Sequence, residues 1–491
     1  MNEFKQKLND SAAMRWSMLS LVAVIMFATY YINDIFSGMK GIMETQLKMS
    51  SSDYGLLLGS VGFFNTIGMI IVGGIILDKL GVRRTGVAFV GIATLGSFLI
   101  AYGGSSYFVN GGFGYQFMGS FLPQYSPQLK VMILGRLLFG LGLETCCVLV
   151  QTVVVKWFKG KELALAFAIN MGVGRLGSAS AIMLAPVLAG SMVGNLYPSF
   201  PTVLWFGFGL AAIAMLSFLV YTIFDIKMDK QLAELGEVEE AAKSSEQKAT
   251  EKAVADKAAA DAKGGFMPWL RSTGLIDLLT NKSFLYITAL CVTFYAAVFP
   301  FMGYATDMLV NKFGFETKVA AKVTGFIPIG AIVFTVIFGR LVDKKGKSAS
   351  LMIIGSLLLI CAHLTLSLTM LPPYIALFAL GVAFSLVPAA MWPSVTKIVV
   401  ERRLGLAYSM MFTIQNWGLM MFFYLIGKVL EVTNPGITAQ MIDAKQATYN
   451  YTTAILMLAF LGLAGMLFAF LLKREDKVSG FGLELPSSMK K

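Results

Sequence analysis

Two ionisable residues of opposite sign, Glu144 and Arg175, stand inside long apolar stretches of this 491-residue chain. A charge at the centre of a bilayer costs a few kcal/mol or more unless it is paired or hydrated, so each needs a reason. Glu144 lies about 14 residues from the outer end of its stretch and Arg175 about 13 from the inner end of the next, each about 20 Å deep at the helical rise. Antiparallel neighbours hold the two at similar depth, near the midplane. They can neutralise each other, or face a wet cavity as fixed charges that hold the two ends of a zwitterion. Both readings stand, and they can alternate as a solute arrives and leaves.

Other costly residues surround that pair. Arg136 opens Arg136-Leu-Leu-Phe-Gly140-Leu-Gly142, where small residues permit close helix packing and the guanidinium needs polar partners. A structural or gating role competes there with substrate contact. Asp34, in Tyr30-Tyr31-Ile32-Asn33-Asp34, sits beside aromatics; binding substrate, carrying a proton and capping an outer gate are equal readings. His363, the only histidine, reads as a packing residue.

Catalytic chemistry finds little support. Gly172-Val173-Gly174-Arg175-Leu176-Gly177 matches a dinucleotide fingerprint, but that motif needs a preceding strand and a turn opening a helix. Here it lies within an apolar run, where its glycines allow close packing and clear space around Arg175. No phosphate-binding loop, zinc-protease motif or serine elbow is present, so neither metal nor cofactor is expected and the chain does not read as an enzyme. Cys146, Cys147, Cys291 and Cys361 fall in apolar stretches without metal-type spacing and read as packing residues.

The elements that must position these residues are membrane helices. The hydrophobic fraction is 56% and only 14% of residues are charged, against roughly 25% in soluble domains; mean hydropathy is +0.71. Twelve runs are long enough to cross a bilayer, near 16–38, 54–77, 85–104, 130–155, 162–189, 202–225, 284–309, 319–342, 349–370, 374–398, 405–430 and 450–472. The net charge of +12 concentrates in alternate loops, at Lys79, Arg83, Arg84, Lys156, Lys159, Lys161, Arg340, Lys344, Lys345, Lys347, Lys397, Arg402 and Arg403. Cationic loops stay cytoplasmic, so both termini are expected in the cytoplasm and no nucleic-acid surface is implied. No removable signal peptide is read at the N-terminus, and the plasma (inner) membrane is the expected location.

Composition flips between the sixth and seventh runs. Residues 227–263 are rich in Lys, Glu and Ala without aromatics, and read as a tether that cannot fold alone. The expected organisation is a six-helix bundle over 1–225, a charged linker over 226–282, a second bundle over 283–473 and a tail over 474–491. The uncharged loop 105–128 reads as a packed outer surface loop.

Each half carries the same turn after its second helix. Gly74-Ile75-Ile76-Leu77-Asp78-Lys79-Leu80-Gly81-Val82-Arg83-Arg84 is echoed by Gly339-Arg340-Leu341-Val342-Asp343-Lys344-Lys345-Gly346-Lys347. Two parallel six-helix repeats with a midplane site between them are a known transporter plan. These turns, with Arg136-x-x-x-Gly140-x-Gly142, resemble the signatures of the major facilitator superfamily. Blocks around Gly135–Glu144, Trp157–Leu163, Gly174–Ser178, Glu401–Tyr408 and Ile414–Asn416 are similar to the branch typified by a lysosomal dipeptide uniporter.

The resemblance implies an all-α membrane protein of 12 helices in two pseudo-symmetric halves that rock around a central site. It implies that Glu144 meets a peptide amine, Arg175 a carboxylate, and Tyr31 and Trp392 line the cavity. Phe294, Tyr295, Phe299, Gln415 and Asn416 are the candidate cavity residues of the second half. The turns at Gly74, Asp78, Gly81, Arg83, Arg84 and at Gly339, Asp343, Lys344, Gly346 would latch the cytoplasmic gate, with Arg136 as a further gating candidate. The expected partners are a small zwitterion such as a dipeptide and the lipid bilayer, with no nucleic acid, for a monomer to which an accessory subunit can be added. The N-terminal tail lacks an acidic dileucine signal, and Ala185-Pro186 lacks the full antiporter pattern. The rivals are a proton-coupled symporter or organic-anion antiporter of the same fold, and a non-transporting membrane sensor.

Overall fold

The computed structural model describes residues 10–158, 161–191, 193–194, 196–242, 275–400 and 403–486. Among them, eleven helices are long and apolar enough to cross a membrane, and a bent pair supplies a twelfth span. In chain order they are α1 (Ala12–Asp34), α2 (Ser51–Thr66 with Met69–Leu77), α3 (Leu80–Gly103), α4 (Pro127–Phe158), α5 (Leu163–Leu188) and α6 (Phe200–Ala242). The second half has α7 (Lys282–Phe313), α8 (Thr317–Lys345), α9 (Ser348–Leu368), α10 (Pro373–Ile398), α11 (Leu404–Thr433) and α12 (Thr452–Ser479). Twelve spans put both ends of the described chain on one face, here called the terminal face; the opposite is the far face.

Polar caps fix where these helices begin. Before α2, Ser50 accepts a bond from the Asp53 backbone N–H while the Asp53 carboxylate accepts from the Ser50 N–H, a reciprocal capping box. Asn281 caps α7 by accepting from Phe284 N at 3.1 Å. The charged linker starts as a continuation of α6, helical to Ala242, and its remainder, 243–274, lies outside the described residues. Beyond α12 the tail folds back: Lys397 Nζ donates to the carbonyls of Gly482 at 3.0 Å and Leu485 at 2.8 Å. That tail covers Gly346, whose φ is +68°.

The meeting of the two halves decides which side is closed. The outer part of α2 lies so close to α11 that a Cβ on Gly59 would stand 2.9 Å from the Met420 carbonyl, and one on Gly62 would stand 2.8 Å from Asn416 Oδ1. The α2 span then breaks by 56°, with Gly68 at φ +83°, a conformation that costs glycine little. Past the break the helices part, and a Cβ at Gly74, at Gly339 on α8 or at Gly405 on α11 would meet nothing within 4 Å. Polar links between the halves gather on the far side. Glu431 accepts from Ser52 N at 2.9 Å and Ser52 Oγ at 2.6 Å, and Tyr54 OH donates to Gly303 O at 2.9 Å. On the terminal face, Arg83 reaches Asp229 at 3.1 Å and Lys156 reaches Asp225 at 2.7 Å, all within the first half. The far gate is shut and the terminal side is parted.

Overpacking the α2–α11 seam should unbalance this state. Gly59→Leu is expected to remove about 1–3 kcal/mol from the closed far gate, the usual cost of a side chain forced into a packed seam. Thiol labelling of a Ser52→Cys probe should then run several-fold faster; an unchanged rate would contradict the seam's role.

Candidate functional site

Two adjacent tyrosines of α1 point in different directions. Tyr31 is fully buried, stacked on Phe27 at 6.2 Å and edge-on to Phe206 of α6 at 5.6 Å. Tyr30 instead lies within electrostatic reach of Arg175, Glu144 and Asp34, and a side-chain hydrogen bond links it to Cys147. Its ring is accommodated by Gly174, where a Cβ would come within 3.2 Å. The glycine-rich segment of α5 is thus a packing surface against α1.

Asp34 ends α1 on the same face as Tyr30, four residues on. Asn33 Nδ2 donates to it at 2.8 Å; Ser178 of α5 is its second side-chain partner, and Arg136 and Arg175 both act on it.

Glu144 and Arg175 are both half-buried, and no ion pair joins them. Arg175 reaches across the cleft, its guanidinium 4.5 Å from the centre of the Phe384 ring on α10, a cation–π contact between the halves. An aromatic row continues from there. Phe384 meets Phe299 at 5.5 Å, Phe299 stacks on Tyr295 at 5.6 Å, and Tyr295 OH accepts from Trp392 Nε1 at 2.9 Å. Trp392 stacks on Phe412 at 4.9 Å.

The remaining second-half candidates sit behind this row. Phe294 is buried against Tyr295 at 5.6 Å. Gln415 Oε1 accepts from Cys291 Sγ at 3.6 Å. Asn416 donates back to Phe412 O at 2.9 Å and turns its oxygen to Gly62 in the α2–α11 seam.

Arg136 resolves into a clamp. It is 1% exposed, and its guanidinium donates to the carbonyls of Asn33 and Leu58 at 3.1 Å and of Ile32 and Leu57 at 3.4 Å. It therefore ties α1, α2 and α4 together just above the cleft. Of the turn residues, Gly81 has φ +75°, Arg83 pairs with α6, and Arg84, Asp343 and Lys344 are exposed. The side chain of Asp78 lies outside the described ones.

The arrangement gathers the Glu144 and Asp34 carboxylates and the Arg175 guanidinium around Tyr30, with Arg175 set against the aromatic row of the other half. It can bind charged ends and apolar bodies. Residues 19–423 match the family model described as Major Facilitator Superfamily. The chain belongs to that superfamily. It is a multi-pass membrane transporter rather than an enzyme.

Named superfamily members of one kind resemble this chain in sequence. The lysosomal dipeptide transporter MFSD1 of Bos taurus is 27% identical over 421 residues, covering 85% of this chain and 80% of that protein. That of Homo sapiens is also 27% identical over 421 residues, with the same coverage of 85% and 80%. Among solved structures of the superfamily fold, a bacterial homologue of the human lysosomal transporter Spinster in an inward-facing and occupied conformation aligns with TM-score 0.65, at 15% identity over 94% of this chain and 98% of that one. The nucleoside transporter NupG aligns with TM-score 0.61, at 15% identity over 94% of this chain and 99% of that one.

Sequence reasoning missed Tyr30, Ser178 and Phe384. Tyr30 had a signal, since it shares a helix face with Asp34 at i,i+4, but Tyr31 at i,i+3 shares it nearly as well. Phe384 had none, being one of many aromatics in an apolar helix.

Removing the clamp should be costly. Arg136→Met leaves several buried carbonyls unpaired, at about 1–3 kcal/mol for each group that stays dry. A lowered melting temperature in detergent is expected, with a smaller loss for Arg136→Lys; an undiminished melting temperature for Arg136→Met would contradict the assignment.

Proposed function

We propose that this transporter carries dipeptides by alternating access as a uniporter, Glu144 taking the N-terminal amine and Arg175 the C-terminal carboxylate. One observation carries the reading: the two charges both lie within reach of Tyr30 without pairing with each other, and Arg175 bridges to the aromatic row of the opposite half. A dipeptide satisfies both charges at once, while Phe384, Tyr295 and Trp392 accept varied side chains. The dipeptide transport named for the relatives supports this substrate class.

In this reading the terminal face is cytoplasmic, because its loops carry the excess of Lys and Arg. The turns around Asp78 and Asp343 latch that face in the opposite state, when Gly74 and Gly339 would find neighbours. The relatives are named as lysosomal, so the plasma-membrane placement has no support among them.

Proton coupling through Asp34 is the second reading, favoured by the position of that carboxylate between Arg136 and Arg175. Flux of a labelled dipeptide into proteoliposomes containing a pH dye separates the two. Uniport gives dipeptide flux without proton movement; acidification in step with flux would establish symport.

A dipeptide library should raise the melting temperature of the purified protein. No shift with any dipeptide, alongside a shift with small dicarboxylates, would overturn the substrate assignment. Tyr30→Phe should weaken dipeptide binding several-fold and Tyr31→Phe should leave it unchanged. The reverse order would contradict the geometry of α1.

A further inference from the structure

A short helix, Lys40–Leu47, joins α1 to α2 on the far face. Lys40 Nζ lies 2.8 Å from Glu44 Oε1 on that helix and 3.1 Å from Asp307 Oδ2 on α7, in the other half. The three side chains are 1%, 2% and 8% exposed. Tyr451 OH donates to Asp307, and Ser51 Oγ donates to Glu44 at 2.6 Å. One cation and two carboxylates are therefore enclosed between the halves, with one negative charge in excess.

The neighbours do not cancel that excess. Asp443, bonded by Thr45, adds a carboxylate from the second half, and Glu431 of α11 is paired with Lys428. Lys48 is exposed at the rim, while Arg136 lies beyond Tyr54 and spends its donors on carbonyls. The other titratable groups facing the cluster are the tyrosines Tyr54, Tyr304, Tyr449 and Tyr451, with Tyr197 beside Asp443. A cavity of about 430 Å³ on the far face, lined by Glu44, Lys48, Glu431 and Tyr449, gives Glu44 a path to solvent.

We propose that the closed far gate contains a proton-binding site at Glu44, so that acid on the far side favours a shut far gate and an open terminal side. Protonation leaves Lys40 and Asp307 as a balanced pair and keeps Glu44 as a hydrogen-bonding neutral acid. Burial raises the Glu44 carboxyl above its usual range; Lys40 pulls it down and the charge of Asp307 pushes it further up. Burial works against the Lys40 ammonium, yet Asp307 and Glu44 outweigh it and hold its pKa above that of an ordinary lysine.

The sign follows from linkage. With the gate open, Glu44 is wet and its carboxyl returns to the ordinary range; with the gate closed, burial and Asp307 raise it. The closed gate therefore gains stability as pH falls through the closed-state value, and the gain is complete below the open-state value. The proton enters from and returns to the far side, so it biases the cycle without being carried. This site depends on closure of α2 against α11 and not on the identity of the substrate.

The test reads conformation, so it fails or succeeds independently of dipeptide binding. Spin labels at Asn110→Cys and Val432→Cys, in the full chain with its native cysteines replaced, report the far-face separation in nanodiscs. Between about pH 7.5 and about pH 4.5 the closed-to-open ratio should rise, by up to about tenfold per pH unit inside the window. Glu44→Gln should stay closed throughout and lose the response, and Asp307→Asn, which leaves Lys40 and Glu44 balanced, should lose it as well. A wild-type distribution that does not move, one that opens in acid, or variants that respond as the wild type does would each overturn the proposal.

Discussion

Every charge inside a membrane domain must find a counter-ion, a set of carbonyls or water, and this transporter uses each solution in a different place. Arg136 takes carbonyls, and so becomes a fixed tie among three helices. Lys40 takes two carboxylates, one from each half, and so belongs to a contact that forms only when the far side closes. Glu144 and Arg175 form no ion pair with each other; Arg175 lies instead near the Asp34 carboxylate and against the Phe384 ring of the other half. The roles of these residues follow from how each meets that single requirement.

The same economy explains the moving parts. Backbones approach closely where α2 carries Gly55 and Gly59, Gly62 makes room for the Asn416 side chain, and the helix changes direction at Gly68. A rigid outer segment and a splayed inner one give α2 a two-part character that a straight helix could not offer. Closing on one side and parting on the other is then one geometry and not two.

Much of this architecture was legible in the sequence. Span count and repeat follow from hydropathy and from the twin Asp turns, because lipid forces each crossing to be a long apolar helix. What could not be read was rotation and long-range pairing. Tyr30 and Tyr31 are adjacent in sequence and face different neighbours, and helical phase in a uniformly apolar segment leaves no moment to choose between them. Lys40 and Asp307 are separated by 267 positions, and each alone reads as an ordinary charge near a membrane edge. Only the folded contact between halves shows that they are buried together.

In the proposed function, Glu144 meets the amine of a zwitterionic dipeptide. Calorimetry of one dipeptide and its N-acetylated form, on the wild type and on Glu144→Gln, measures that contact as a coupling energy. Acetylation should weaken binding to the wild type by about 1.5–3 kcal/mol, the range for a hydrogen bond to a charged group, and cost Glu144→Gln almost nothing further. Losses that simply add, with acetylation equally damaging to both proteins, would place the amine elsewhere and contradict the proposal.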